Sequence, residues 1–138
     1  LLLLAGTAAL LVLSGHNRLA AREAVQTTRL LEAARSGVRL GAAQLDEEAA
    51  LRRQLEEGAP EVEAASGLLE TNDAFYRVTA KRLPTEDTTD GAAYLLTAAS
   101  WPKEGSERQA TAISGKHAYA AALYRLDGTR LSFVRWER

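Results

Sequence analysis

Hydrophobic positions fall into three regimes along the chain. From Leu1 to Leu13 they are nearly continuous, broken only by Gly6 and Thr7. Farther on they recur at the 3-and-4 spacing of an amphipathic helix, as Thr27, Leu31, Ala34, Val38, Ala42, Leu45 and Ala49, with Leu30, Leu51 and Leu55 widening the stripe. From Phe75 onward they alternate: Tyr76, Val78 and Ala80 interleave with Arg77, Thr79 and Lys81, the period of a half-buried strand. No proline precedes Pro60, so the first two regimes predict a single helix over 1–57, roughly 80 Å long at 1.5 Å per residue. Residues 1–15 form its apolar half and 18–57 its amphipathic half, separated by the poor helix formers Ser14-Gly15-His16-Asn17. A helix of that length exceeds what a compact domain of 138 residues can cover, so half of it must be buried in lipid, in sister subunits, or in both.

Gly58 and Pro60 end the helix, one as a C-cap and the other as a block to its resumption. Residues 58–73 read as a polar connector with room for a short helix from Glu61 to Leu69. An antiparallel β domain over 74–138 follows, with strands expected at Phe75 to Leu83, Ala93 to Trp101 and Arg108 to Ser114. A terminal hairpin, Tyr119 to Leu126 and Thr129 to Trp136, turns at Asp127-Gly128. The Ala-rich segment from Ala118 to Leu126 fits a helix as well as a strand. The expected fold class is α+β: one long N-terminal helix packed on a C-terminal antiparallel sheet of four to five strands. The helix from about residue 27 completes the sheet's core through Leu31, Ala34, Val38, Ala42 and Leu45. Gly37 and Gly41 make a small-xxx-small pair, which suits either another helix or a close fit against the sheet.

The greasy run of thirteen residues is shorter than the roughly 20 needed to cross a hydrocarbon core. The expectation is a membrane helix whose first turns precede Leu1; Thr7-Ala8-Ala9 is the only segment resembling a signal-peptide cleavage site. Charge is uneven although the net is −1: residues 1–45 carry +3, residues 46–90 carry −7 and residues 91–138 carry +3. Such a pattern allows copies to stack through opposite-sign surfaces, or it reflects solvated charge alone.

Chemistry is sparse. Without cysteine there are no disulfides, thiolate metal sites or cysteine nucleophiles. No HExxH, P-loop, GxGxxG or GxSxG occurs, and His16 and His117 have no catalytic partner in sequence. Glu47-Glu48 and Glu56-Glu57 read as solvated helix faces, and the spacing of Glu86, Asp87 and Asp90 matches no EF-hand. No catalytic, cofactor or metal residue is assigned, and an enzyme is not expected. Lys103, Arg108, Lys116, Arg125, Arg130, Arg135 and Arg138 lie near Tyr119, Tyr124 and Trp136, a combination able to bind DNA. Alternating Arg on the wet face of a sheet explains the same pattern and is preferred.

A greasy segment running into an amphipathic helix and then a small antiparallel sheet resembles the type IV pilin family. Phe75-Tyr76-Arg77-Val78-Thr79, Tyr94 to Trp101-Pro102, and Arg108-Gln109-Ala110-Thr111-Ala112-Ile113-Ser114 look like the minor pilins and the minor pseudopilins of type II secretion. The family's processing signature, a Gly before a methylated aromatic and a Glu five residues in, has no counterpart in the numbered residues and is carried onto none of them. The cysteine pair common in pilins is also missing. The resemblance implies a minor pilin that waits in the inner membrane with a periplasmic C-terminal domain, then enters a cell-surface filament, where it primes assembly or sits at the tip in adhesion or DNA uptake. Its partners would be other pilin subunits through the N-terminal helix, the lipid bilayer before assembly, and the pilus assembly machinery. Leu1, Leu2, Leu3, Leu4, Leu10, Leu11, Val12 and Leu13 are the residues expected to pack in the filament or membrane. The alternatives are a minor pseudopilin of a type II secretion system and a single-pass anchored adaptor or sensor on a coiled-coil stalk.

Overall fold

The computed structural model describes residues 2–84, 92–103 and 117–138; side chains are described for all of these except 2–17 and 19. Helix α1 runs over Leu2–Glu47 and a short α2 over Ala49–Glu56. Five strands follow: β1 (Val62–Leu69), β2 (Ala74–Leu83), β3 (Ala93–Pro102), β4 (Ala118–Asp127) and β5 (Arg130–Glu137). They form one antiparallel sheet in the order β1-β2-β3-β4-β5, with α1 laid across one face. This is the expected α+β arrangement of a long helix on an antiparallel sheet.

The expected single rod over 1–57 is interrupted. Glu48 adopts an extended backbone (φ −98°, ψ 92°), so α2 is a separate element. The break lets α2 tuck its one buried side chain, Leu55, into the core beside the partly buried Leu51. Gly58 then ends α2 at φ +103°. The Gly58 N–H donates to the Leu55 carbonyl and the Ala59 N–H to the Gln54 carbonyl at 3.0 Å, the paired bonds of a Schellman cap.

The connector over 58–73 is largely a strand. Residues 62–69 pair with β2 from Val62↔Ala80 to Leu69↔Ala74 and are not helical. A bulge at Ala64 breaks the two-residue period, so Val62 and Ala64 are buried while the remainder of β1 loses its alternation. A 3₁₀ turn over Glu70–Asn72 and a left-handed Asp73 (φ 48°) then turn the chain into β2. β2, β3 and the terminal hairpin lie where the alternation placed them, and Ala118–Asp127 is a strand. The strand expected at Arg108 to Ser114, and most of the acidic loop ending at Gly91, lie outside the described residues.

Ala34, Val38, Ala42 and Leu45 are buried as expected, but the stripe is turned slightly. Leu30 is 3% exposed, whereas Leu31 is only half-buried on the shoulder of the helix. Thr27 and Ala49 are exposed. The helix approaches β2 so closely that Gly37 and Gly41 face strand side chains. A Cβ at Gly37 would lie 3.0 Å from Tyr76 Cδ2, and one at Gly41 would lie 2.6 Å from Val78 Cγ1. The glycine pair is therefore a fit against the sheet. Four helix residues advance about 6 Å and two strand residues about 6.6 Å. The matching steps Gly37 to Gly41 and Tyr76 to Val78 thus mean that α1 runs along β2.

Candidate functional site

Among the described residues, the buried part of α1 begins at Leu30. Leu30 and Ala33 pack with Ala74 in a small cluster where β2 begins. The hydroxyl of Ser100, itself fully buried, donates to the Leu30 carbonyl, and the Asn72 amide donates to the Arg29 carbonyl at 3.3 Å. These contacts pin the helix at the point where it leaves the sheet. Upstream, Arg18 and residues 20–29 are exposed except for the half-buried Gln26. Val25 is 53% exposed. The Thr27 and Thr28 hydroxyls fold back onto the carbonyls of Glu23 and Ala24 at 2.8 and 2.9 Å, so these side chains serve their own helix. From Leu2 to Arg29 the helical backbone extends about 42 Å, by its rise of about 1.5 Å per residue.

Of the eight residues expected to pack in filament or membrane, Leu2, Leu3, Leu4, Leu10, Leu11, Val12 and Leu13 lie on this helical arm. Leu1 lies outside the described residues. Among the described residues no helix is long and apolar enough to cross a membrane.

The sheet edges are poor templates for pairing. β1 carries its bulge at Ala64, and β5 carries one at Val134, between Arg135↔Leu123 and Phe133↔Tyr124. Bulges and edge charges such as Arg130 and Arg135 blunt strand-to-strand association. β5 is also tied to the helix layer: the Leu131 N–H donates to Asp46 Oδ1 at 3.1 Å, and Arg52 Nη1 donates to the Thr129 carbonyl at 3.0 Å. Arg35 and Arg39 stand over the Trp136 ring at 5.6 and 5.8 Å from its centroid.

That arrangement dismantles the aromatic-and-cation group considered for DNA. Tyr124 is buried under α1, Trp136 is covered by Arg35 and Arg39, and Tyr119 points away on the other face. Arg108 and Lys116 lie outside the described residues. The sequence reading missed a different aromatic group, on the face of the sheet opposite the helix. There Phe75, Trp101, His117 and Tyr119 follow one another across β2, β3 and the start of β4, with ring centroids 6.1, 6.2 and 6.3 Å apart. They border a cavity of about 660 Å³ floored by Thr79, Thr97 and Ala99, with Arg77 on its rim. Alternation was the available signal: Phe75 and Trp101 occupy the strand positions out of phase with the buried Tyr76 and Ser100. Among the described residues no three His, Asp or Glu side chains cluster as a metal site. Compared with protein-family profiles, curated proteins and solved structures, the chain matches none.

Proposed function

We propose that this chain is a structural subunit, of the minor-pilin kind, of a helical filament of the type IV pilus class. The apolar front of α1 holds it in the inner membrane with the sheet domain on the periplasmic side. In the filament that helix lies among the helices of sister subunits. The observation that carries the reading is that α1 continues as helix for about 42 Å upstream of Leu30, its first buried residue among those described. An arm that long, beginning with a run of Leu and Val, needs burial that this chain does not give its described part. Apolar area gains about 25 cal/mol per Å² whether lipid or sister helices cover it, so transfer from membrane to filament is close to neutral.

Two further features favour helix-mediated assembly. The bulged edges discourage growth by strand addition. The Ala34, Val38, Ala42 and Leu45 stripe, which a coiled-coil stalk would need free, is packed on the sheet. Substitution Leu11→Asp tests the proposal. Filament incorporation, measured by immunoblot of sheared filaments, should be lost while the sheet domain keeps its thermal transition. Normal incorporation of the variant would refute the assignment.

A further inference from the structure

We propose that the recess at the root of the arm is a docking surface for anionic phospholipid, which draws that end of the sheet domain onto the bilayer. The proposal rests on the membrane-held state of the filament reading. The recess, a cavity of about 490 Å³, lies between the Arg22, Val25 and Arg29 face of α1 and the end of the sheet at Asp73 and Lys103. The Lys103 N–H donates to the Asp73 carbonyl at 2.9 Å and the Asn72 amide to the Arg29 carbonyl at 3.3 Å, so the two walls are held in place. The recess is thus on the side of the domain from which the arm departs, the side that meets the bilayer in the proposed function.

Charge selects an anion. In the lining Arg22, Arg29 and Lys103 stand against the single carboxylate of Asp73, and the nearby Glu23 and Glu70 are not part of it. Among the described residues, ion pairs join Arg77 to Glu63 and Arg135 to Glu137, and none of the three cations takes part in one. Arg18, one turn before Arg22, extends the basic face toward the apolar run. Val25 selects a lipid among anions. It lies between Arg22 and Arg29 and is 53% exposed, an apolar surface that a free phosphate would leave wet and a lipid's glycerol and first methylenes cover. Reach is sufficient. Arg18 and Arg22 lie about 7.5 and about 13.5 Å beyond Leu13 along the helix axis, and helix side chains lean toward the N-terminus, so both guanidinium groups reach back toward the headgroup layer. Lys103 stands off the axis on the sheet side. A lean of the arm to that side, within the range of up to about 40° seen for membrane helices, lowers it toward the same layer. Each basic side chain brought to an anionic surface contributes about fivefold in affinity.

The test places the full chain in lipid nanodiscs of phosphatidylcholine alone, and in discs where phosphatidylglycerol replaces part of it. Both carry a trace of phosphatidylcholine spin-labelled on its headgroup. NMR follows the amide signals of Asp73 and Lys103, with Gly128, in the turn at the opposite end of the sheet, as the reference. Phosphatidylglycerol should shift and broaden Asp73 and Lys103 and leave Gly128 unchanged. The double variant Arg22→Gln with Lys103→Gln, both at exposed positions, should keep the parent's thermal transition and lose the response, since two cations of about fivefold each are removed. The proposal is overturned if Asp73 and Lys103 respond alike in both kinds of disc, or if the double variant responds as the parent does. It is overturned equally if inorganic phosphate added to phosphatidylcholine discs reproduces the response. A chain that enters neither kind of disc contradicts the filament reading itself, and the proposal falls with it.

Discussion

Tyr94 places a phenol in the deepest part of the core: the residue is fully buried and its Oη has no hydrogen-bond partner. Burial first, and then the carboxylate of Glu56, push its pKa above the ordinary 10.0, against the smaller opposing pull of Arg82 and Arg52. Burial acts likewise on Tyr124, opposed by Arg39. In the unfolded chain both phenols ionise near their ordinary value, while the folded state resists ionisation. Stability tied to these groups is therefore intact below about pH 10 and declines as pH rises through the folded values. Tyr94→Phe should lose less stability than the parent between about pH 8 and about pH 12, measured by urea midpoints. At the lower pH the variant should match or exceed the parent, because an unpaired buried hydroxyl is removed. Residue identities such as this were only partly legible in sequence. Periodicity located Ala34, Val38, Ala42 and Leu45, but it could not separate Leu30 from its neighbour Leu31, since both flank the same stripe. Nor could it show that Trp136 would sit beneath two helix arginines.

Elements were legible where a single period ran unbroken. β2 and β3 alternate cleanly because helix covers one face and the other is more open, and Asp127-Gly128 set the hairpin with Gly128 at φ +66°. β1 was misread because the bulge at Ala64 shifts the period after two residues, and an Ala- and Glu-bearing segment has weak strand propensity. Only pairing with β2 makes it a strand. The break at Glu48 was equally silent, since Glu is a good helix former; docking of Leu55 overrides that preference. The glycine pair was visible, and the structure decides between its two readings in favour of the sheet. The fit yields a prediction on magnitude. Gly41→Ala gains about 1 kcal/mol in helix propensity, but its Cβ would meet Val78 Cγ1 at 2.6 Å, and overpacking costs about 1–3 kcal/mol. A net loss of about 1 kcal/mol in urea unfolding is expected. In a double-mutant cycle with Val78→Ala, itself destabilising because Val78 is buried, the combined loss should be less than the sum of the two single losses. Gly37→Ala, facing the Tyr76 ring at 3.0 Å, should be milder.

For the whole molecule, the division of labour along α1 is the organising fact. From Leu30 to Leu45 the helix supplies one layer of the core; upstream it supplies none of the buried residues described. Among the described residues the core thus takes nothing from the arm, which the proposed function leaves to lipid or to other copies. The uneven charge of the sequence adds little, because the carboxylates near α2 share that end of the sheet with Arg52, Lys81, Arg82, Arg125 and Arg130. In the proposed filament, association would therefore rest on the apolar helix. The most direct measurement compares the full chain with a chain beginning at Arg22, by light scattering in detergent-free buffer. The shortened chain should be a folded monomer with an unchanged urea midpoint, while the full chain should form large assemblies or require detergent. A full chain that stays monomeric in plain buffer, or a shortened one that unfolds, would contradict the claim that the arm is built for burial by other molecules.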